Sequence, residues 1–360
     1  MYEFCTTLLD TDAYKQGKAI VVCSGSDPKD VTNTALLLGG FMILAEGCTL
    51  DAVRDAFEPV SHRFAEYDDG LAVHDCWSSL HHVHTRCGWL RLDSKLSLRL
   101  LQRCAGGGDD AEAMDMEEYM HYDSPLNGGL HVLVPDRLLV LHCPEDLPGG
   151  AAWADAGGVR RFGAAHYADI LGDFGVDVVV RGGGDACGYD ASAFAAQGIE
   201  VEDLALLDAG GVPTLAEIDR FLSLARHASG AVAVHGGAGR GLGAAGTLIA
   251  AHLIREHRFL AKDAIAWVRM IHPDALPAPH QRFLRAAEAD VRRPRHRSMP
   301  SFAAAAGGGE EGGDGDAAGR AAGGWCGAGV EGLGAGMPRS VSAPRIFDFL
   351  DGGCAAGQAE

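Results

Sequence analysis

Twelve residues, GGAGRGLGAAGT from Gly236 to Thr247, carry six glycines between an apolar run that ends at His235 and one that begins near Gly246. Glycine lets the backbone come close to a ligand, and a helix start presents free amide hydrogens and a positive dipole. The chemistry that fits is anion binding, with phosphate the natural anion. A flexible loop in a chain of 50 glycines is the plainer alternative. No cysteine stands in the loop to attack a phosphate, and Arg240 is its one cation. Gly241, Gly243 and Gly246 also satisfy the GxGxxG spacing of dinucleotide sites. That fingerprint needs a second strand and an acidic residue about 20 positions on, whereas Ile265, Val268 and Ile271 recur there at helical spacing.

Two other groups have chemistry-bearing side chains. His74, Cys76, His81, His82, His84 and Cys87 crowd one short stretch, but none of their spacings is that of a zinc site. Cys76, Leu80, Val83 and Cys87 fall at i, i+4, i+7 and i+11, an apolar helix stripe that turns both thiols into a core. No metal ligand is assigned. Cys187 follows an apolar run ending near Arg181, and nothing in its sequence neighbourhood marks it as activated, so it reads as a structural thiol.

The elements that must position the loop are legible on both sides of it. Ala19 to Val22 reads as a buried strand; Asp27 then caps and Pro28 opens a helix reaching about Leu44. His131 to Val134 and Leu138 to Leu141 flank a turn at Pro135 and Asp136, the pattern of a hairpin. Val176 to Val180, Val201 to Leu207 and Ala231 to His235 read as further strands. Thr214 and Glu217 form a capping box for a helix to about His227, and three helices follow from Gly246, from about Lys262 and from Pro279. The alternation predicts two α/β units.

The residues around the loop resemble those of the cell-division-cycle protein 14 family of dual-specificity phosphatases. Ala233-Val-His235, Ala238-Gly239, Leu242-Gly243 and Gly246-Thr-Leu-Ile-Ala250 resemble its signature loop. Val179-Val-Arg181, Tyr189, Phe194, Gly198-Ile199, Leu207-Asp208, Pro213 and Phe221-Leu222 are similar to its general-acid region. Ala264 to Arg269, Pro273, Pro279-His-Gln281 and Phe283-Leu284 are similar to its closing segment. Gly25, Asp27, Asn33 and Asp75-Cys76 match in the first unit. Glu118-Tyr119, His121-Tyr122, Asn127-Gly128 and Val134-Pro135 match between the units. The resemblance covers most of residues 19–290, and by it the chain is expected to start inside the first unit.

The resemblance implies tandem phosphatase-like α/β domains, each a central sheet flanked by helices, and the Gly/Ala-dominated composition of Ser298 to Glu360, with no sustained period, predicts a disordered C-terminal tail. Residues 1–114 form the first domain, 115–128 the linker, 129–290 the second domain and 291–360 a basic segment and Gly/Ala-rich tail. It also implies a thiolate nucleophile, an arginine six positions on, and an aspartic acid as general acid. The acid falls on Asp208. The nucleophile falls on Gly236 and the arginine on Ala244, in a loop two residues longer than the family pattern. The phosphate-loop positions are His235, Gly237, Ala238, Gly239, Arg240, Leu242, Gly243 and Gly246; Gln281 is a further matched position. In the implied substrate groove Met120, Leu126 and Gly129 replace acids, leaving Asp123.

A net charge of -19 argues against a general nucleic-acid binder, and no apolar run approaches the roughly 20 residues of a membrane span. The ten cysteines form no CxxC pair and there is no secretory signal, so they read as reduced thiols. Arginines between Arg282 and Arg297 read as a solvated helix end, with a nuclear-import patch as the rival. The expectation is a pseudophosphatase without cofactor that binds protein or phosphoprotein partners. An active enzyme acting on phosphoserine-proline or phosphotyrosine sites, with its loop misread, is the alternative, and a nucleotide-dependent oxidoreductase a third class. The resemblance implies cell-cycle, cell-division and ciliary settings in cytoplasm, nucleus, centrosome or basal body.

Overall fold

The computed structural model describes residues 1–65, 70–92, 113–182, 187–204, 211–237 and 242–293, all of which fall within one compact unit. The tail from Ser298 to Glu360 lies outside the described residues. The architecture is mixed α/β, with a central sheet flanked by helices.

The sheet has five strands: β1 (His131–Val134), β2 (Leu138–Val140), β5 (Val176–Arg181), β6 (Glu200–Asp203) and β7 (Ala231–His235), in the order β1-β2-β7-β5-β6. β1 and β2 are the antiparallel hairpin, and Asp136 holds φ at 53° in its turn. β2, β7, β5 and β6 run parallel, with Val140 beside Val234 and Arg181 beside His235. β7 is buried along its whole length, as the unbroken run Ala-Val-Ala-Val requires of a central parallel strand. A separate ribbon pairs β3 (Trp153–Ala156) with β4 (Val159–Phe162); its mostly exposed strands have little apolar alternation to announce them.

The helices are α1 (Tyr2–Asp10), α2 (Asp12–Lys15), α3 (Pro28–Leu44), α4 (Leu50–Phe57), α5 (Val73–His82), α6 (Met116–Asp123), α7 (Ala164–Asp173), α8 (Ser192–Ala196), α9 (Leu215–His227), α10 (Gly243–Glu256), α11 (Ala261–Ile271) and α12 (Ala278–Arg292). α10 and α11 contact β2 and β1, while α7 and α8 contact β5 and β6. Asp27 caps α3 by accepting from the Lys29 amide, and Thr214 and Glu217 form the capping box of α9. α10 starts three residues before the predicted Gly246, because the Gly246 amide already donates to the Leu242 carbonyl at 2.7 Å.

The strand expected at Ala19 to Val22 does not form. An isolated strand leaves its amides and carbonyls without a ladder, and among the described residues no neighbour pairs with this one; Val21 is 83% exposed. Among the described residues, the elements up to Leu92 are helical. They are joined to the sheet-bearing part through α5 and α11. Ser78 donates to Asp263 at 3.1 Å, Lys262 pairs with Asp75 at 2.9 Å, and the Trp267 indole donates onward to the Leu133 carbonyl of β1 at 2.9 Å.

Candidate functional site

β7 sits between its two parallel neighbours, so the residues leaving its carboxyl end meet those leaving β2 and β5. That end of an open α/β sheet is where ligands bind. His235 is the last residue of β7 and is fully buried. Its Nδ1 lies 2.8 Å from the Gly236 carbonyl, which can only accept. In the neutral ring the proton is therefore on Nδ1, and Nε2 accepts from the Tyr189 hydroxyl at 2.8 Å.

Gly236 and Gly237 then run along one wall of a cleft of about 540 Å³, shared with Cys143, Glu145, Arg160 and Arg161. The two arginines are already matched to carboxylates. Arg160 donates to both oxygens of Asp155 at 2.9 and 3.0 Å and lies over the Trp153 ring, and Arg161 donates to Glu145 at 3.1 Å. An incoming anion would have to compete with those partners.

The far end of the loop is built by packing. Leu242 is buried, and Ala244 packs against the core on the first turn of α10. A Cβ on Gly243 would lie 2.8 Å from His280 Nε2, so glycine is required there by close approach. Thr247 donates to the Gly243 carbonyl, and His280 Nδ1 lies 2.8 Å from the same hydroxyl. Gly246 packs on Ala275 and Leu276. Gln281 is buried beside this knot, donating to the Leu276 carbonyl at 2.9 Å and accepting from Arg285 at 3.3 Å. Ala238, Gly239 and Arg240 lie outside the described residues, and so does Asp208.

The cleft does not include Asp123. Its carboxylate faces His131 Nδ1 at 2.8 Å and accepts from the Tyr119 hydroxyl at 3.2 Å. It borders a different hollow of about 360 Å³, with Met116, Met120 and Trp267.

Two residues at the cleft's foot carry chemistry that their sequence surroundings hid. Cys187 is 3% exposed, and together with Cys143 and His235 it offers donor atoms that all lie within 4.8 Å of one another. Read in sequence, Cys187 has no histidine beside it; the parallel register of β5 with β7 supplies one. The neighbouring Cys187 thiol, then burial, push the Cys143 thiol up from its ordinary range. Burial pushes Tyr189 up as well, and Arg181 pulls it the other way. Arg181 forms a two-pronged pair with Asp203, at 2.7 Å to each oxygen.

The crowded stretch from His74 to Cys87 is packing. Cys76, Trp77, Leu80 and Val83 are buried, whereas Cys87, the last residue of a π turn at Val83–Cys87, is only half-buried. His84 Nδ1 meets the Leu90 carbonyl at 2.9 Å and His82 Nε2 meets the His257 carbonyl at 3.0 Å.

No protein-family profile matches the chain. Among curated proteins it is 29% identical over 275 residues to the dual specificity protein phosphatase CDC14C of Homo sapiens, a match covering 74% of this chain and 55% of that protein. It is 32% identical over 198 residues to CDC14A of Homo sapiens, covering 53% of this chain and 32% of that one. To the tyrosine-protein phosphatase CDC14 of Candida albicans it is 28% identical over 315 residues, 82% of this chain and 51% of that one. The chain spans about half the length of the first of these relatives. Among solved structures it is similar to PTPMT1 in complex with PI(5)P, at 20% identity and a TM-score of 0.35 over 45% of this chain and 96% of that one. A kinase associated phosphatase is similar at 16% identity and a TM-score of 0.35, over 43% of this chain and 86% of that one.

Proposed function

From the premise that this chain is a homologue of the CDC14 dual specificity protein phosphatases, we propose that it is a pseudophosphatase. On this reading it keeps the scaffold as a binding surface for protein partners, phosphorylated ones among them. The observation that carries the reading is Gly236, which follows buried His235 on the cleft wall where the resemblance puts the nucleophile. Glycine has no side chain to attack phosphorus, and Ala244 at the arginine's place has none to grip phosphate oxygens.

One observation favours a second reading, an active phosphatase: a thiol, Cys143, borders the same cleft. Its chemistry weighs against that role. The attacking species is the thiolate, and the nearby Cys187 thiol and burial both favour the protonated form.

Purified protein should show no vanadate-sensitive hydrolysis of phosphoserine-proline or phosphotyrosine peptides, while retaining phosphopeptide binding by fluorescence anisotropy. Vanadate-sensitive hydrolysis that disappears with Asp208→Asn would overturn the pseudophosphatase reading, and its loss with Cys143→Ser would assign the attack to that thiol. Resequencing the transcript across residues 230–250 checks the loop itself, since an active enzyme with a misread loop requires a cysteine and an arginine there. The reading also carries cytoplasmic, nuclear or basal-body settings, which imaging of a tagged chain would separate. No nucleic-acid partner is part of it, given the net charge of -19. Among the described residues no helix is long and apolar enough to cross a membrane.

A further inference from the structure

We propose that Cys143, Cys187 and His235 form a binding site for one zinc ion at the foot of the glycine loop. The inference is independent of the proposed function, because it uses only the donor atoms and the strands that carry them.

Topology makes the site. Cys143 lies three residues past β2, His235 ends β7 and Cys187 follows β5, so the donors leave the same end of three adjacent parallel strands. Their sulfur and nitrogen atoms all lie within 4.8 Å of one another. Tetrahedral zinc with ordinary bond lengths holds such atoms about 3.5–3.8 Å apart. Closing the group therefore needs a shift of about 1 Å, and half-buried Cys143 is the ligand with room to make it.

The imidazole is already set up as a ligand. Metal-bound histidines donate their second ring N–H to a carbonyl or carboxylate, which fixes the tautomer and aims the other nitrogen. His235 has that arrangement, with Nδ1 facing the Gly236 carbonyl and Nε2 facing the Tyr189 hydroxyl, and a nitrogen of its ring lies within 4.8 Å of both thiol sulfurs. An ion at Nε2 takes the place of the Tyr189 hydroxyl hydrogen there, and the hydroxyl then donates to a thiolate.

The donor set selects the ion. Two thiols and an imidazole suit zinc and disfavour magnesium or calcium, which take oxygen ligands. Binding forms two Zn–S bonds and one Zn–N bond and releases two thiol protons to solvent, while His235 keeps its Nδ1 proton. Two thiolates cancel the double positive charge, so the buried site is neutral, as burial demands. Arg181 nearby is held by Asp203 and does not oppose the ion with an unpaired charge. Three protein ligands leave a fourth position for water, and Cys143 places the site beside the cleft.

The test is cobalt titration of the full chain, purified under reducing conditions with chelator and then freed of it. The expected result is a sulfur-to-cobalt charge-transfer band that saturates at one equivalent and is displaced by zinc. Cys143→Ser should remove about half of that band and weaken binding by on the order of a hundredfold or more, as loss of a direct ligand exceeds the 10- to 100-fold typical of supporting groups. Tyr189→Phe should weaken it by about tenfold. Cys23→Ser, at an exposed thiol, should change nothing. Absence of the band in the unaltered chain overturns the proposal without reference to any variant. So does a band that Cys143→Ser leaves intact, or a Cys143–Cys187 disulfide in peptide mass maps from a chain that takes up no cobalt after reduction.

Discussion

Two regions of this molecule concentrate cysteine and histidine, and they do so in opposite ways. From His74 to Cys87 the residues are adjacent in sequence and disperse in space: Cys76 goes to the core, His84 to the Leu90 carbonyl and His82 to the His257 carbonyl. Cys143, Cys187 and His235 come from three distant segments and converge. The difference teaches that a helix spreads neighbouring side chains around its axis, whereas parallel strands deliver distant ones to a common edge. Density along the chain is therefore poor evidence for a site unless its spacing matches the element that carries it.

The largest expected effect tests whether burial governs the histidines. Burial holds His252 and His272 down at about 3 and His257 at about 4. It also lowers His74, His81, His82 and His84 in the crowded stretch. A base depressed in the folded state gains protons first in the unfolded chain, so stability is full above about pH 6.5 and falls as pH drops toward the folded values. Asp263, raised to about 6 by burial, acts the other way between about pH 4 and 6, but it is one group against several. Each strongly depressed histidine should cost on the order of 1–2 kcal/mol at pH 5. Urea unfolding at pH 7 and pH 5 measures the sum; an unchanged midpoint would show that these rings are not held by burial.

Next in size is Trp77→Ala, which tests the crowded stretch as core. Trp77 is fully buried, packs on the Phe57 and Phe64 rings, and fits so closely against α3 that a Cβ on Gly39 would clash with its indole nitrogen. Truncation should cost about 3–5 kcal/mol. A loss under about 1 kcal/mol by chemical denaturation, the range of surface changes, would mean that this stretch is not core.

A third prediction sets the two regions against each other directly. Cys76→Ser buries a hydroxyl in apolar surroundings and should cost about 1–3 kcal/mol. Cys143→Ser in chelated protein, at a half-buried position beside the cleft, should cost under about 1 kcal/mol. Equal losses would erase the distinction between a packing thiol and a site thiol.

What the sequence made legible follows the same division between local and distant contacts. Asp27 with Pro28, the turn at Asp136 and the valine runs of β5 and β7 are written in short spacings, and each forms where those spacings put it. Ala19 to Val22 has the composition of a strand, but composition does not supply a pairing neighbour. The β3–β4 ribbon was unreadable because its exposed strands have little apolar alternation. At the site, His235 and Gly236 were legible from the strand-to-loop pattern, whereas Cys143 and Cys187 required the strand order β2-β7-β5, which no local spacing encodes.

The smallest effect sharpens the rule by giving a case where neighbours in sequence do act together. Thr214 and Glu217 stand three residues apart at the start of α9, the spacing at which a helix start brings side chain and amide face to face. The Glu217 amide donates to Thr214 Oγ1 at 3.3 Å, and the Thr214 amide and hydroxyl donate to Glu217 Oε2 at 2.6 and 2.7 Å. Thr214→Ala should cost about 1 kcal/mol, the usual worth of a cap, and Glu217→Ala a similar or smaller amount. Because both remove the same reciprocal contact, the double variant should lose less than the two single losses together. Additive losses in chemical denaturation would show two independent caps, and proximity in sequence would then explain no more here than it does at His74 to Cys87.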